Sequence, residues 1–157
     1  MSSNYARAEG GKRIVVKEPK NTGRNISIIG ALGIAGVVAL MYCLCTVDGT
    51  GFLTFVRDFL APSLKAGQIV IMDNINFHCT DAVKSAIEAV GCTVVFLPPY
   101  SPELNPIENM WSKIKAYLKK RMPKCLSEYH DALSEALEKI SDYDCEGWFS
   151  NGGYIPC

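Results

Sequence analysis

Short apolar runs that alternate with amphipathic segments predict an α/β domain, with helices flanking a sheet. Two observations carry this. Ile69–Met72 and residues 93–97 are brief, apolar and rich in Ile and Val, as buried strands are, and the segment between them has helical spacing. Upstream, residues 26–47 form 22 residues without a charge, broken at their centre by Gly33-Ile34-Ala35-Gly36. Length alone would make that stretch a membrane span. Turn glycines at its centre and β-branched flanks predict a β-hairpin instead.

The composition agrees with one folded domain. The chain has 157 residues, 48% of them apolar and 20% charged, which excludes a disordered or collagen-like chain. A domain of this length buries roughly 70% of the surface of its unfolded chain. Sixteen basic and sixteen acidic residues cancel, but unevenly. Residues 1–25 carry net +4, residues 26–105 net −3, residues 106–125 net +5 and residues 126–157 net −6. A uniformly basic coat protein is excluded. Two basic segments can face a polyanion while the acidic end stays clear of it, or they can simply be solvated surface. The seven cysteines contain no C-x-x-C pair and do not make a zinc set with His78 and His130. Cys43 and Cys45, two apart, would share one face of a strand. Cys92, Cys125 and Cys145, spread singly through apolar runs, read as reduced core residues of a cytosolic protein. The polar N-terminus carries no signal peptide pattern.

Taken in order, residues 1–25 read as an irregular basic arm with a short extended piece at 14–16. Strands follow at about 26–32 and 37–46. A helix at about 50–61 begins near Asp48 and ends before Pro62. Ile69–Met72 is a strand that runs out at Asp73. A helix at about 80–90 is capped by Thr80 or Cys79 and stopped by Gly91. After the strand at 93–97 comes a loop stiffened by prolines, 98–105. Helices at about 106–120 and 126–140 and a short segment around Trp148 and Phe149 close the chain.

Two carboxylates stand where chemistry is expected. In an open α/β sheet, ligands bind beyond the carboxyl ends of the strands, which is where Asp73 falls. A turn or helix cap is the ordinary alternative for it. Asn105 and Pro106 signal a helix start, which puts Glu108 at the third position, where a capping-box carboxylate reaches back. Ile107, Met110, Trp111, Ile114, Tyr117 and Leu118 form the apolar stripe of that helix, and Glu108 lies beside it with Ser112 and Lys115.

Thirty-four residues separate Asp73 from Glu108. The runs VIMDNINFHCT at 70–80 and VVFLPPYSPELNPIENMWSKIK at 94–115 resemble the second half of the catalytic core of DDE transposases, in the mariner-like branch and its bacterial insertion-sequence relatives. The likeness reaches back through NISIIGALG and forward to GWFSNGGY. It implies a ribonuclease-H-like mixed sheet flanked by helices. It also implies three carboxylates holding two Mg²⁺ or Mn²⁺ ions for strand cleavage and strand transfer. Asp73 would be the second carboxylate and Glu108 the third. Asn74 and His78 are candidates beside the site, with a helix-start role as the alternative for His78. Tyr100 and Ser101 are candidates for DNA contact. Lys113, Lys115, Lys119, Lys120, Arg121 and Lys124 can track phosphates or can form a solvated helix face.

The first carboxylate of such enzymes has no match. No aspartate precedes Asp48, which reads as a helix-start residue. The expectation is therefore a basic arm at 1–25 and a partial catalytic domain at 26–157, lacking the first, central strand. Such a chain binds transposon ends and target DNA and is incomplete alone. Its partner is an upstream transposase segment or a second copy, in the bacterial cytosol or nucleoid and not at a membrane. The other reading is a non-catalytic protein that binds DNA or transposase subunits.

Overall fold

The structure is a computed structural model that describes residues 26–76 and 78–154, with the backbone alone for 3–8 and 12–17. It is mixed α/β. Two compact units make it up: residues 1–31 with 38–101, and residues 32–37 with 102–157.

The first unit holds the strands. β1 (Ser3–Ala8) pairs antiparallel with β2 (Lys12–Lys17), from Ser3 opposite Lys17 to Ala8 opposite Lys12. The irregular arm is thus corrected at these positions to two six-residue strands; residues 1–2, 9–11 and 18–25 lie outside the described residues. The run Ile14-Val15-Val16 supplies the β-branched residues that a ladder favours. β3 (Ser27–Gly33) and β4 (Gly36–Cys43) confirm the hairpin. A two-residue connection joins them, as only antiparallel strands allow, and Gly36 adopts φ +136°, a value that side chains resist. Among the described residues no helix is long and apolar enough to cross a membrane.

The sheet order is β1-β2-β4-β3, with β4 parallel to β2. β4 is central, so both of its edges are paired, and both of its faces are covered as well. Ala39 and Met41 on one face and Leu40 and Tyr42 on the other are all buried. Its uncharged sequence therefore reflects burial on two sides. The last residue of β4, Cys43, is paired in a disulfide with Cys45, which lies just past the strand and not on it as expected.

Asp48 caps α1 (Gly49–Phe55), its carboxylate accepting from the Gly51 amide at 2.8 Å, which is the helix-start role expected of it. The helix runs on through a wide π turn, Val56–Leu60, and a tight turn, Ala61–Ser63, where Pro62 ends it. This segment presents Phe52, Phe55, Val56, Phe59 and Leu60 to the core of the unit. β5 (Ile69–Met72), α2 (Asp81–Glu88) and β6 (Thr93–Phe96) form a parallel strand–helix–strand unit. Thr80 caps α2 through the Val83 amide, and Gly91, at φ +80°, reverses the chain after it. Alternation along the pair sends Val70, Met72, Val94 and Phe96 toward the same core. β5 and β6 make their own two-stranded sheet. Among the described residues the strands thus fall into two small sheets, within the mixed α/β class expected from the sequence.

The second unit is helical. α3 (Ile107–Arg121), α4 (Leu126–Glu138) and α5 (Asp142–Asn151) bury Met110, Ile114, Ala132, Leu133, Ala136, Leu137 and Cys145. Met122 ends α3 in the left-handed conformation, with Pro123 behind it. Cys125 is exposed ahead of α4, so its expected core role is corrected. The short terminal segment around Trp148 is corrected to a ten-residue helix. Ser141 and Asp144 form a full capping box at its start, a signal readable as S-x-x-D.

Phe55 is 1% exposed at the centre of the first core. Phe55→Ala is expected to cost about 3–5 kcal/mol. Hydrogen exchange of the α2 amides reads this unit selectively, since Trp111 and Trp148 both lie in the other. A loss below about 1 kcal/mol would mean that α1 does not anchor the core.

Candidate functional site

Asp73 follows the last residue of β5 and is partly buried. Parallel pairing puts the carboxyl ends of β5 and β6 on one edge, and the Leu97 amide donates to the Met72 carbonyl at 2.8 Å to close the ladder there. Asp73 therefore occupies the place where open sheets bind ligands.

The loop after Asp73 folds back on it. The Ile75 amide donates to the Asp73 carbonyl at 3.0 Å, and the His78 and Cys79 amides donate to the Ile75 carbonyl. The ring of His78 reaches the same Asp73 carbonyl, Nδ1 to O at 3.3 Å. A carbonyl only accepts, so Nδ1 carries the hydrogen in this bond. The imidazole stacks on Phe52 of α1, with centroids 4.1 Å apart and planes tilted by 28°. Burial holds its pKa below the ordinary 6.5, against weaker upward pulls from the Asp73 carbonyl and carboxylate. Thr80, two residues on, caps α2, and the ring of His78 makes the local hydrogen bond that its helix-start alternative called for. Asn74 is exposed, and its Oδ1 accepts from the Cys79 thiol at 2.9 Å, so it shapes the turn. Phe52 escaped the sequence reading. It lies 26 residues from His78, and nothing distinguishes it from its core neighbours Phe55 and Phe59.

In the second unit, Glu108 is exposed in the first turn of α3. The expected capping box is corrected. Pro106 holds the cap position, no side chain bonds there, and Asn105 precedes it. Glu108 contributes backbone bonds instead: its amide donates to Asn105 and its carbonyl accepts from Ser112 Oγ at 3.1 Å. Its carboxylate does not serve as a cap.

The basic candidates on α3 divide into two groups. Lys113 Nζ donates to the Lys139 carbonyl at 2.7 Å and pairs with Asp144 at the start of α5. That ammonium, with help from the Ser141 amide, holds the Asp144 carboxyl below its usual range. Arg121 grips Glu135 of α4 through two nitrogens, at 2.9 and 3.1 Å, and Tyr117 donates to the same carboxylate. The Tyr117 bond and then Arg121 hold Glu135 below its ordinary value. Both cations are therefore engaged in tying the helices together. Lys115, Lys119 and Lys120 are exposed and enter no salt bridge among the described residues. Tyr100 is fully exposed in the loop after β6, and Ser101 Oγ donates to the Pro99 carbonyl.

The family model described as DDE superfamily endonuclease matches residues 1–130. A protein of Sinorhizobium fredii (strain NBRC 101917 / NGR234), the uncharacterized protein y4pE/y4sA, is 44% identical over 46 residues, which is 29% of this chain and 32% of that protein. A solved structure, the Mos1 transposase paired-end complex with left transposon end, matches with TM-score 0.47 and 17% identity, covering 99% of this chain and 48% of that one. The chain thus spans about a third of the first and about half of the second.

The clamp on Asp73 has a pH signature. The folded-state pKa of His78 lies below the unfolded value near 6.5, so folding favours the neutral ring. Its contribution to stability is full above about pH 6.5 and is lost as pH falls through the folded value. Phe52→Leu opens the ring to water, and the His78 pKa is expected to rise toward 6.5 in an NMR titration of its Hε1 signal. An unchanged titration would mean that something other than the stack keeps the ring dry.

Proposed function

Because the chain belongs to the DDE superfamily endonucleases, we propose that it forms part of the catalytic domain of a DNA transposase, serving metal-dependent strand cleavage and strand transfer. The observation that carries this reading is Asp73 at the carboxyl end of the parallel β5–β6 pair. An exposed Glu108 that does not cap its helix supports it. In this reading the strands belong to a ribonuclease-H-like sheet, and Asp73 and Glu108 are the second and third carboxylates. Asn74 and His78 shape the loop that holds the first of these.

The family chemistry calls for Mg²⁺ or Mn²⁺ held by three carboxylates. Among the described residues no three His, Cys, Asp or Glu side chains gather to hold a metal. That donor set does not fit a complete centre, and no reaction step is derived through a metal here. β5 pairs with β6 alone, so among the described residues no strand lies on its other edge. We place the missing carboxylate on a strand that would join this edge, from an upstream transposase segment; a second copy of this chain, which lacks that strand too, would be a partner and not its source. The chain alone then cleaves DNA poorly.

DNA, as transposon ends and as target, is the partner in this proposal. Lys115, Lys119 and Lys120 are the α3 cations that remain to meet phosphates. A non-catalytic DNA-binding role is the second reading, and the same lysines favour it, since they need no carboxylate. The bacterial cytosol is the place that suits either role.

Two experiments test this. Mn²⁺ added to the chain is expected to broaden the amide signals around both Asp73 and Glu108, and Asp73→Asn is expected to abolish the effect at both. Broadening at one site only would defeat the shared centre. For DNA, the double substitution Lys119→Ala, Lys120→Ala is expected to lower the slope of log K against log salt by about 1.8 for duplex DNA. Lys113→Ala should leave that slope alone and instead loosen α5, seen as faster amide exchange there. If Lys113→Ala lowers the slope as much, the division of the α3 cations is wrong.

A further inference from the structure

The loop after β6 raises one aromatic side chain under unusual constraint. Its start is fixed, because Leu97 is buried and its amide bonds the carbonyl of Met72, the residue before Asp73. Pro98 and Pro99 then restrict the backbone. Tyr100 follows at φ +57°, a left-handed conformation that bulky L-residues rarely adopt, and its side chain is 100% exposed. Ser101 Oγ braces the turn against the Pro99 carbonyl at 3.3 Å. A backbone that accepts this conformation without burying the ring gains no packing from it, and such outliers gather at binding sites.

We propose that Tyr100 is a stacking platform for an unpaired nucleobase close to the strand segment that Asp73 addresses. This rests on the DNA-binding reading above and goes beyond it by naming what is read. Three observations select a base over a phosphate. Residues 97–102 carry no charge, so they offer a phosphate no ion pair, only neutral donors, and the Ser101 hydroxyl is turned to the Pro99 carbonyl. The backbone that carries the ring is restricted by the two prolines before it, which lowers the entropy cost of contact. Its anchor stands beside Asp73: three residues span at most about 11 Å, or roughly three nucleotide steps of about 3.4 Å. Bases near a cleaved or nicked strand end are the ones that unstack, and every base offers a π-face to an aromatic side chain.

The test uses the full chain and a 20-base-pair duplex with a short single-stranded extension that contains 2-aminopurine. The native chain is expected to quench the 2-aminopurine, and Tyr100→Phe to do the same. Tyr100→Gly suits the left-handed backbone, so its thermal midpoint should equal or exceed that of the native chain. It should nevertheless bind the extended duplex roughly tenfold more weakly, with the salt slope unchanged. If Tyr100→Gly binds and quenches like the native chain while Lys119→Ala, Lys120→Ala weakens binding, stacking is overturned and the DNA-binding reading stands. Equal loss in Tyr100→Phe and Tyr100→Gly would assign the contact to the hydroxyl and overturn stacking. If the native chain does not bind the duplex, both readings fall.

Discussion

The hydrogen bond from the Leu97 amide to the Met72 carbonyl closes the parallel ladder of β5 and β6 at its carboxyl end, and the candidate chemistry of the first unit is arranged around that closure. On one side Asp73 leaves the strand with its carbonyl engaged by the Ile75 amide and the His78 ring. On the other, the proline loop departs and sets Tyr100 in the open. Neither loop has much core of its own. Each borrows rigidity: the first from the stack of His78 on Phe52, the second from prolines and the buried Leu97. The ladder holds because Val70, Met72, Val94 and Phe96 share the core with α1 and α2. A side chain that must meet a substrate precisely is better placed on such a framework than on a free loop.

In the second unit, charge has two uses that look alike in the sequence. Six basic residues between 106 and 125 suggest one continuous face. Lys113 and Arg121 turn instead to Asp144 and Glu135, which the acidic region after residue 125 supplies. The depressed carboxyls of Asp144 and Glu135 record those attachments. Both pairs are largely solvated, so each contributes little to stability by itself. Their larger effect is selection: they withdraw two cations from any polyanion and leave Lys115, Lys119 and Lys120 exposed. The opposed charges of residues 106–125 and 126–157 are thus partly an internal neutralisation.

The sequence made the hairpin, the helix capped by Asp48, the β5–α2–β6 unit and α3 with α4 legible, because each carries its own local signals. Gly33 to Gly36, Asp48, Thr80 and Gly91 are punctuation that needs no tertiary context. The motif around Leu97 to Glu108 led to the family. Three things were not legible. α5 shows no apolar stripe beyond Trp148 and Phe149, so composition marks only a short segment there, and its start is spelled only by the capping pair Ser141 and Asp144. The partition of the strands into two sheets depends on ladder pairing, which no single strand encodes. Phe52 reaches Asp73 through His78, across a separation that hydrophobic periodicity assigns wholly to the core.

The exposure of the β5–β6 pair bears on completeness. Parallel strands are ordinarily covered on both faces, which is why they read as continuous apolar runs. Here one face is packed into the core, while on the other Ile69 is 64% exposed and Val95 is 45% exposed. A surface Leu or Ile needs no explanation by itself. Two β-branched residues open on the face of a two-stranded parallel sheet, beside a β5 edge whose amides and carbonyls have no ladder partner among the described residues, are a different matter. Such an edge is a template for another strand. A strand added there would satisfy the ladder and widen the sheet, and a parallel one would bring its carboxyl end to the side of Asp73. In the proposed reading, stability and chemistry then ask for the same addition, at the end of the sheet where the loops carrying Asp73 and Tyr100 leave it.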